Sequence, residues 1–217
     1  MATPMGPRLT RPFFSRPSME VAADLLGRII VTGEWEDRVA VRITETEAYG
    51  GATDPASHAF RGLTPRNAVM FGPAGHLYLY FIYGMHWCAN IVTGLPGEAS
   101  AVLLRAGEVI DGVDTARRRG SAGVADPALA SGPARLTKVL GLGAAQVSSA
   151  PNGGDLCAPA SPMRLMGGTF AGPVNTVTGP RVGVSSAHDL PLRFSIAGEA
   201  SVSQYRRHVR RTRLSSP

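Results

Sequence analysis

The chain has 217 residues, 44% of them hydrophobic and 18% charged, a composition that fits one globular domain and leaves little room for a second large one. Its formal net charge of +6 comes from arginine, because Lys138 is the single lysine among 22 basic residues. Guanidinium groups bind phosphate well, so the charge favours an acidic partner such as nucleic acid. A biased genome composition would produce the same excess of arginine.

The sequence also argues against metal and membrane chemistry. Cys88 and Cys157 form no CxxC pair, and the five histidines show no metal-ligand spacing, so we expect no structural zinc, no other metal and no cofactor. No apolar run approaches the roughly 20 residues of a membrane helix, and the N-terminus lacks an apolar signal core. The predicted location is therefore the cytoplasm, with reduced thiols.

The two ends of the chain are predicted to be loose. Residues 1–12 are rich in proline and arginine, and residues 206–217 are basic without apolar periodicity. We therefore expect a single domain over residues 13–205. Its first segment, residues 18–31, has helical apolar spacing followed by an apolar run, which predicts a helix and then a strand.

Residues 39–49 alternate and predict a strand that carries two carboxylates. Simple alternation places Val41, Ile43, Glu45, Glu47 and Tyr49 on one face of this strand. The apolar face would then end in two acidic groups and an aromatic ring.

The remainder of the chain divides into short elements. Residues 50–75 are polar and rich in glycine and proline, which predicts a long functional loop, and the aromatic segment 76–93 predicts a β-hairpin broken at Gly84. The other predicted elements are a strand in 101–109, helices in 112–120 and 132–142, and short strands in 180–187 and 190–198. We expect residues 120–131 and 143–172 to be surface connections.

Glu47 is the first candidate for chemistry. A carboxylate at the end of an apolar strand face would be poorly hydrated, and its raised pKa would suit a general base. The alternative is a structural glutamate paired with Arg42 or Arg105, and alternation does not decide between these interpretations.

The second candidate is a cluster of tyrosines. Four of the five tyrosines, namely Tyr49, Tyr78, Tyr80 and Tyr83, fall within a short stretch of the sequence. Aromatic strands usually belong to a core, but Tyr83 precedes Gly84 and would stand near the tip of the hairpin. An exposed apolar tip flanked by arginines is suited to entering a minor groove and unstacking bases.

Two strings carry a resemblance to a known family. The segments ETEAYGGATDPASHAFRGLTPRNAVMFGPAGHLYLYFIYGMHWCANIV and AVLLRAGEV closely resemble the alkyladenine, or 3-methyladenine, DNA glycosylases of the bacterial type. The resemblance runs from about Pro17 to Ala197, with weaker support from GPARLT and RVGVS. It is less close around Arg61 to Thr64 and in residues 143–172. Together with the order of elements it implies an α+β single domain, with a curved, mostly antiparallel sheet, surrounding helices and a protruding β-hairpin.

The resemblance implies a role for each matching residue. Glu47 would be the general base, and Arg105 would support the flipped nucleotide and the catalytic water. Tyr49 and Tyr80 would stack on the flipped base. The other implied contacts are His58 and Asn90 in the substrate pocket and Tyr83, Met85 and Arg66 on the DNA.

The implied activity is base-excision repair of alkylated purines such as 3-methyladenine and 7-methylguanine. A purine alkylated at N3 or N7 is already cationic, so one activated water would suffice, whereas hypoxanthine or ethenoadenine would need a proton donor. With no lysine near the pocket, we expect a monofunctional enzyme that leaves an abasic site and does not nick the strand. Its expected partner is duplex DNA, and we expect it to be a monomer. The alternatives are a non-catalytic nucleic-acid-binding module of related fold and a hydrolase of free nucleosides.

Overall fold

A computed structural model of the chain describes residues 5–120, 123–145, 154–168 and 174–207. Within these ranges, nine strands form one open, antiparallel sheet with four short helices around it, which confirms the predicted α+β class. The helices are α1 (Arg11–Phe14), α2 (Ser18–Asp24), α3 (Val113–Arg119) and α4 (Pro133–Val139). The strands are β1 (Ile29–Thr32), β2 (Val39–Tyr49), β3 (Leu77–Ile82), β4 (His86–Thr93), β5 (Ser100–Asp111), β6 (Ala130–Ser131), β7 (Met163–Met166), β8 (Thr176–Gly179) and β9 (Arg193–Ile196).

The two longest strands, β2 and β5, pair at the centre of the sheet. The main order is β3-β4-β5-β2-β1-β7, while β6 pairs with β5, β9 with β2, and β8 with β9. The predicted hairpin is β3 and β4, which lies at one edge of this order. None of the helices described is long and apolar enough to cross a membrane.

One face of the sheet packs on α2 and α4 around the main hydrophobic cluster. Val21 of α2, Leu25 at the C-terminal cap of α2 and Leu136 of α4 are buried there against apolar strand residues, because each short helix presents its apolar side to the sheet. This layer packs against the centre of β2 and β5, the strands that carry the candidates Glu47, Tyr49 and Arg105.

A double β-bulge changes the direction of side chains along β2. Ile43 pairs with Gly107, Glu45 with Ala106 and Thr46 with Leu104, so Thr44 on β2 and Arg105 on β5 have no partner in this register. Each bulge adds a residue and interrupts the alternation of the strand. Before the bulge, Val41 and Ile43 face the main cluster; after it, Ala48 does, and the Thr46 hydroxyl donates to the Ala22 carbonyl of α2.

The predicted face of β2 is therefore wrong in its first half. Glu45, Glu47 and Tyr49 share a face with one another but not with Val41 and Ile43, because the bulge shifts the alternation between the two groups. The consequence is that both carboxylates point away from the hydrophobic core.

Two other predictions need correction. Residues 180–187 form no strand; β9 pairs instead with residues 176–179, and the backbone N–H of Val182 bonds a side chain rather than a ladder partner. The connections predicted at 120–131 and 143–172 contain β6 and β7, and β7 extends the sheet beyond β1. Parts of these connections, residues 121–122, 146–153 and 169–172, lie outside the described residues, as do residues 1–4 and 208–217 of the predicted tails.

Candidate active site

A cavity of about 420 Å³ opens between the β3–β4 hairpin, the ends of β2 and β5, and two segments, residues 55–58 and 182–185. Its volume suits a ligand of the size of a nucleobase with part of its sugar. Most of the residues predicted from the sequence line it: Tyr49, His58, Tyr80, Tyr83, Asn90 and Arg105. The structure therefore brings together side chains from four separate stretches of the chain.

Glu47 lies directly beneath the wall of this cavity and has no exposed surface. Its Oε1 accepts a 2.7 Å hydrogen bond from the backbone N–H of Val182 and lies 3.3 Å from Nη1 of Arg105, while its Oε2 accepts a 2.7 Å bond from the Tyr49 hydroxyl. All three of these partners line the cavity. The carboxylate is thus one layer of atoms away from the opening.

Glu47 is protonated more readily in this environment than a glutamate side chain in water. Burial is the largest influence and raises the pKa of Glu47, and the favourable contacts with Arg105, Val182 and Tyr49 offset it in part. Of the two arginines named as possible partners of Glu47, Arg105 is the one in contact with it. Arg42 forms ion pairs with Glu108 and Glu199 instead.

Glu45, two residues earlier, has the opposite character. It accepts hydrogen bonds from Nε of Arg105 at 2.9 Å, from Nε of Arg193 at 2.6 Å and from the backbone N–H of Ser203 at 2.8 Å. Burial raises its pKa, but the two arginines and the Ser203 amide outweigh burial and lower it. Glu45 therefore stays ionised and anchors the guanidinium of Arg105.

The aromatic walls of the cavity stay uncharged. Burial raises the pKa of Tyr49 and of Tyr80 well above the usual value, with Glu47 adding to the rise at Tyr49 and Cys88 at Tyr80. A neutral phenol ring presents an electron-rich face, which attracts a stacked cation. These walls suit a flat, positively charged ligand.

His58 is held in place by its neighbours. Its Nδ1 lies 2.9 Å from the Tyr78 hydroxyl, its ring packs edge-on against Tyr80, and its carbonyl accepts a bond from the buried Asn67 amide. Burial and the charge of Arg66 lower the pKa of His58, so the imidazole is neutral at neutral pH. Asn90 is buried and donates from its side chain to the Tyr78 carbonyl.

The tip of the hairpin projects a tyrosine into solvent. Tyr83 and Gly84 occupy the turn between β3 and β4, both with positive φ, and the N–H of Met85 bonds the carbonyl of Ile82. Tyr83 is 79% exposed and Met85 is 65% exposed. A bulky residue held at positive φ is strained, which is typical of a site kept for a function. Arg66 stands beside the hairpin and donates to the carbonyl of Phe81.

Sequence reasoning missed Arg181 and Asp54, which form a buried ion pair behind the cavity wall. Both carboxylate oxygens of Asp54 accept from the Arg181 guanidinium, and that guanidinium lies 4.6 Å from the centre of the Tyr49 ring. The next residue, Val182, bonds Glu47. The available signal was the arginine in PRVGVSSA, which we assigned to a strand. Among the residues described, no group of three or more histidine, cysteine or acidic side chains is placed to hold a metal ion.

Comparisons with known proteins match the sequence of the chain to one family. The model of the family Methylpurine-DNA glycosylase matches residues 12–200. The chain belongs to this family. A Streptomyces avermitilis protein that carries the assigned name 3-methyladenine DNA glycosylase is 49% identical over 98% of this chain and 99% of its own length. Proteins with the same assigned name from Burkholderia cenocepacia and Nocardia farcinica are 44% and 48% identical, over 91% and 87% of this chain and 92% and 87% of their own lengths. The resemblance inferred from the motifs at residues 45–92 and 101–109 is confirmed.

Proposed function

We propose that this chain is a base-excision-repair DNA glycosylase that hydrolyses the N-glycosidic bond of alkylated purines flipped out of duplex DNA. One observation carries the proposal: a fully buried carboxylate, Glu47, is fixed by three residues that themselves line a tyrosine-walled cavity. The family membership supports the same activity class.

In the proposed reaction, Glu47 is the general base. It takes a proton from a water as the water oxygen forms a bond to C1′, and the electron pair of the C1′–N bond leaves with the purine. Among the three contacts of Glu47, the 3.3 Å contact with Arg105 is the longest and lies beyond an ordinary N–H···O distance. Arg105 lines the cavity and contacts Glu47, so we propose that its guanidinium supports the flipped nucleotide and the catalytic water.

A cationic purine needs no proton from the enzyme. This requirement fits a site in which Glu47 is the proposed base and the second carboxylate, Glu45, is not available as an acid. Glycoside hydrolysis generally uses one acid and one base. Glu45 is held ionised by Arg105 and Arg193, so it does not serve as the acid. The proposed substrates are therefore 3-methyladenine and 7-methylguanine, with neutral lesions such as hypoxanthine or ethenoadenine released more slowly.

Duplex DNA is the proposed partner rather than a free nucleoside. A free nucleoside would need neither the exposed, strained Tyr83 nor the arginine beside the hairpin. We propose that Tyr83 fills the gap left by the flipped nucleotide, with Met85 and Arg66 contacting the DNA around it. His58 and Asn90 would bond the edge of the base between Tyr49 and Tyr80. The proposed enzyme acts as a monomer without metal, in the cytoplasm.

The proposed enzyme hydrolyses the base without cutting the strand. Strand cleavage by such enzymes proceeds through an imine to an amine, and Lys138 is exposed on α4 and is not among the cavity-lining residues. Borohydride should therefore trap no covalent adduct between the enzyme and DNA. A trapped adduct would contradict the monofunctional mechanism.

The test is release of methylated purines from alkylated duplex DNA by the purified protein under single-turnover conditions. Glu47→Gln should still bind lesion DNA but release base at least about a hundredfold more slowly, because the proton acceptor is gone. The matched control is Glu34→Gln at an exposed glutamate near the opposite end of β2, which should keep the parental rate. No release by the parental protein would leave the non-catalytic module as the better interpretation.

A further inference from the structure

The ring of Tyr49 lies between the cavity and a guanidinium. Tyr49 lines the cavity, while Arg181 is almost fully buried and places its guanidinium carbon 4.6 Å from the centre of the ring. Arg181 covers one face of the ring, so a flat ligand in the cavity has the other face to stack on. The two side chains thus form a cation–π contact within the protein itself.

The charge of this guanidinium is neutralised by a carboxylate. Nη2 of Arg181 donates 2.8 Å to Oδ1 of Asp54, Nη1 donates to Oδ2 and also 3.0 Å to the carbonyl of Ala48. Asp54 also accepts from the backbone N–H groups of Gly50 and Ala56. These contacts outweigh burial and lower the pKa of Asp54, so the pair is a neutral unit beneath the ring.

The neutral pair matters because the proposed ligand is itself a cation. A purine stacked on the free face of Tyr49 would lie about 8 Å from the Arg181 guanidinium, given a stacking distance of about 3.5 Å. At that separation in a poorly hydrated site, repulsion by an unneutralised guanidinium would lower the affinity for a cationic purine by about tenfold. An uncharged purine of similar shape would feel no such repulsion.

We infer that Asp54 is a specificity-determining residue: by neutralising Arg181 behind Tyr49, it allows the ring to stack on positively charged purines. The inference rests on the proposed glycosylase function. Asp54 acts through Arg181 and Tyr49 and does not touch the substrate. Its removal should therefore change the preference between charged and uncharged lesions and not merely the overall rate.

The test compares how tightly the parental protein and an Asp54 variant bind three duplexes, which carry 7-methylguanine, ethenoadenine or an uncharged abasic analogue. Each comparison is made in the parental background and again with Glu47→Gln, which prevents cleavage. Asp54→Asn keeps the shape of the side chain but removes its charge. We expect it to weaken binding of the 7-methylguanine duplex by about tenfold relative to the other two. Equal losses for all three duplexes would mean that Asp54 only supports the loop, and this would overturn the inference.

Two further variants keep the test decisive if Asp54→Asn folds poorly. Arg181→Gln leaves no cation behind the ring, so it should not reduce the preference for 7-methylguanine; a reduction as large as that of Asp54→Asn would contradict the inference. The double variant Asp54→Asn/Arg181→Gln buries no charge and should restore the parental preference, and failure to restore it would also count against the inference.

The control for a lost ion pair is Asp155→Asn, which breaks the pair with Arg11 outside the cavity. It should lower stability without changing the ratio of affinities. If the parental protein releases no methylated purine at all, the proposed function fails; if it does so and Asp54→Asn lowers all affinities equally, the inference about Asp54 fails alone.

Discussion

The hydroxyl of Tyr49 donates a 2.7 Å hydrogen bond to Oε2 of Glu47, two residues earlier on the same strand. The ring that is proposed to stack on the base thus also holds the proposed catalytic base. Stacking and proton acceptance are therefore linked through one side chain, and a change that removes the hydroxyl but keeps the ring separates them.

Tyr49→Phe should slow base release by about tenfold at neutral pH, because a bond to a charged acceptor is lost while stacking remains. The hydroxyl stabilises the ionised carboxylate, so its loss raises the pKa of Glu47 further, and the acid limb of the pH–rate profile should move to higher pH. Single-turnover rates across pH measure this shift. Tyr205→Phe, at an exposed tyrosine, is the control. An unmoved acid limb would show that the hydroxyl does not tune the base.

Glu45→Gln and Glu47→Gln should have opposite effects on stability. Glu45 binds two arginines, so its loss leaves buried cations partly unpaired and should lower the free energy of unfolding by about 3 kcal/mol. Glu47 has a raised pKa in the folded state, so its ionised form costs stability as pH rises through that pKa. Glu47→Gln should therefore be at least as stable as the parent at neutral pH.

The two carboxylates should also differ in how the free energy of unfolding depends on pH. The advantage of Glu47→Gln should shrink as pH falls through the raised folded-state pKa of Glu47 and should be gone below 4.5, the ordinary pKa of a glutamate, where the parental carboxyl is protonated in both states. The stabilisation by Glu45, whose folded pKa is lowered, should instead be lost as pH falls through that lowered value. Chemical unfolding at several pH values measures both trends. A Glu47→Gln protein that is much less stable than the parent at neutral pH would assign Glu47 a structural role.

Tyr83→Asn should separate strain from function at the hairpin tip. Asparagine tolerates positive φ better than tyrosine, so the variant should be about 1 kcal/mol more stable. It should also bind lesion duplexes at least about tenfold more weakly, because the residue proposed to fill the gap is gone. Thermal unfolding and a binding titration measure the two effects.

Trp35→Asn is the matched control for the expected gain in stability and loss of DNA affinity in Tyr83→Asn. Trp35 is 92% exposed and also has positive φ, but it precedes β2 at the end opposite to Glu47 and Tyr49. The variant should gain similar stability and keep the parental affinity for DNA. Equal loss of affinity in both variants would remove the special role of Tyr83.

Arg66→Gln should weaken DNA binding and reduce its dependence on salt. Arg66 is exposed beside the hairpin, and one lost phosphate contact should lower the slope of log affinity against log salt by about 1. Arg117→Gln is the control, since Arg117 lies on α3 and pairs with Asp114 and Asp126. A slope that is unchanged by Arg66→Gln would place this side chain outside the DNA contact.

Local patterns predicted the elements and the cluster of candidates but not their exact orientation. The alternation in residues 39–49 identified β2, and the aromatic segment identified the β3–β4 hairpin. The prediction that the Glu47 side chain shares a face with Val41 was wrong, because a bulge is set by the pairing of β2 with β5 and not by the residues of β2 alone.

The buried pair of Asp54 and Arg181 was beyond the reach of sequence patterns for a related reason. The two residues are 127 positions apart in the chain, and each lies in a stretch without periodicity. Charged residues in such loops are usually exposed, so nothing local marks these two as buried. The family resemblance supplied Tyr49, His58 and Arg105 but gave no role to this pair.

The bulge at Thr44 makes the orientation of both carboxylates depend on how β2 is registered against β5 as well as on its composition. Residues on either side of it obey opposite parity, odd numbers facing the main cluster before it and even numbers after it. A regular strand of the same 11 residues would keep one parity throughout and turn Glu45 and Glu47 toward the hydrophobic core. The same amino acids without this irregularity would then bury two carboxylates among apolar side chains and leave the cavity without its acidic neighbour.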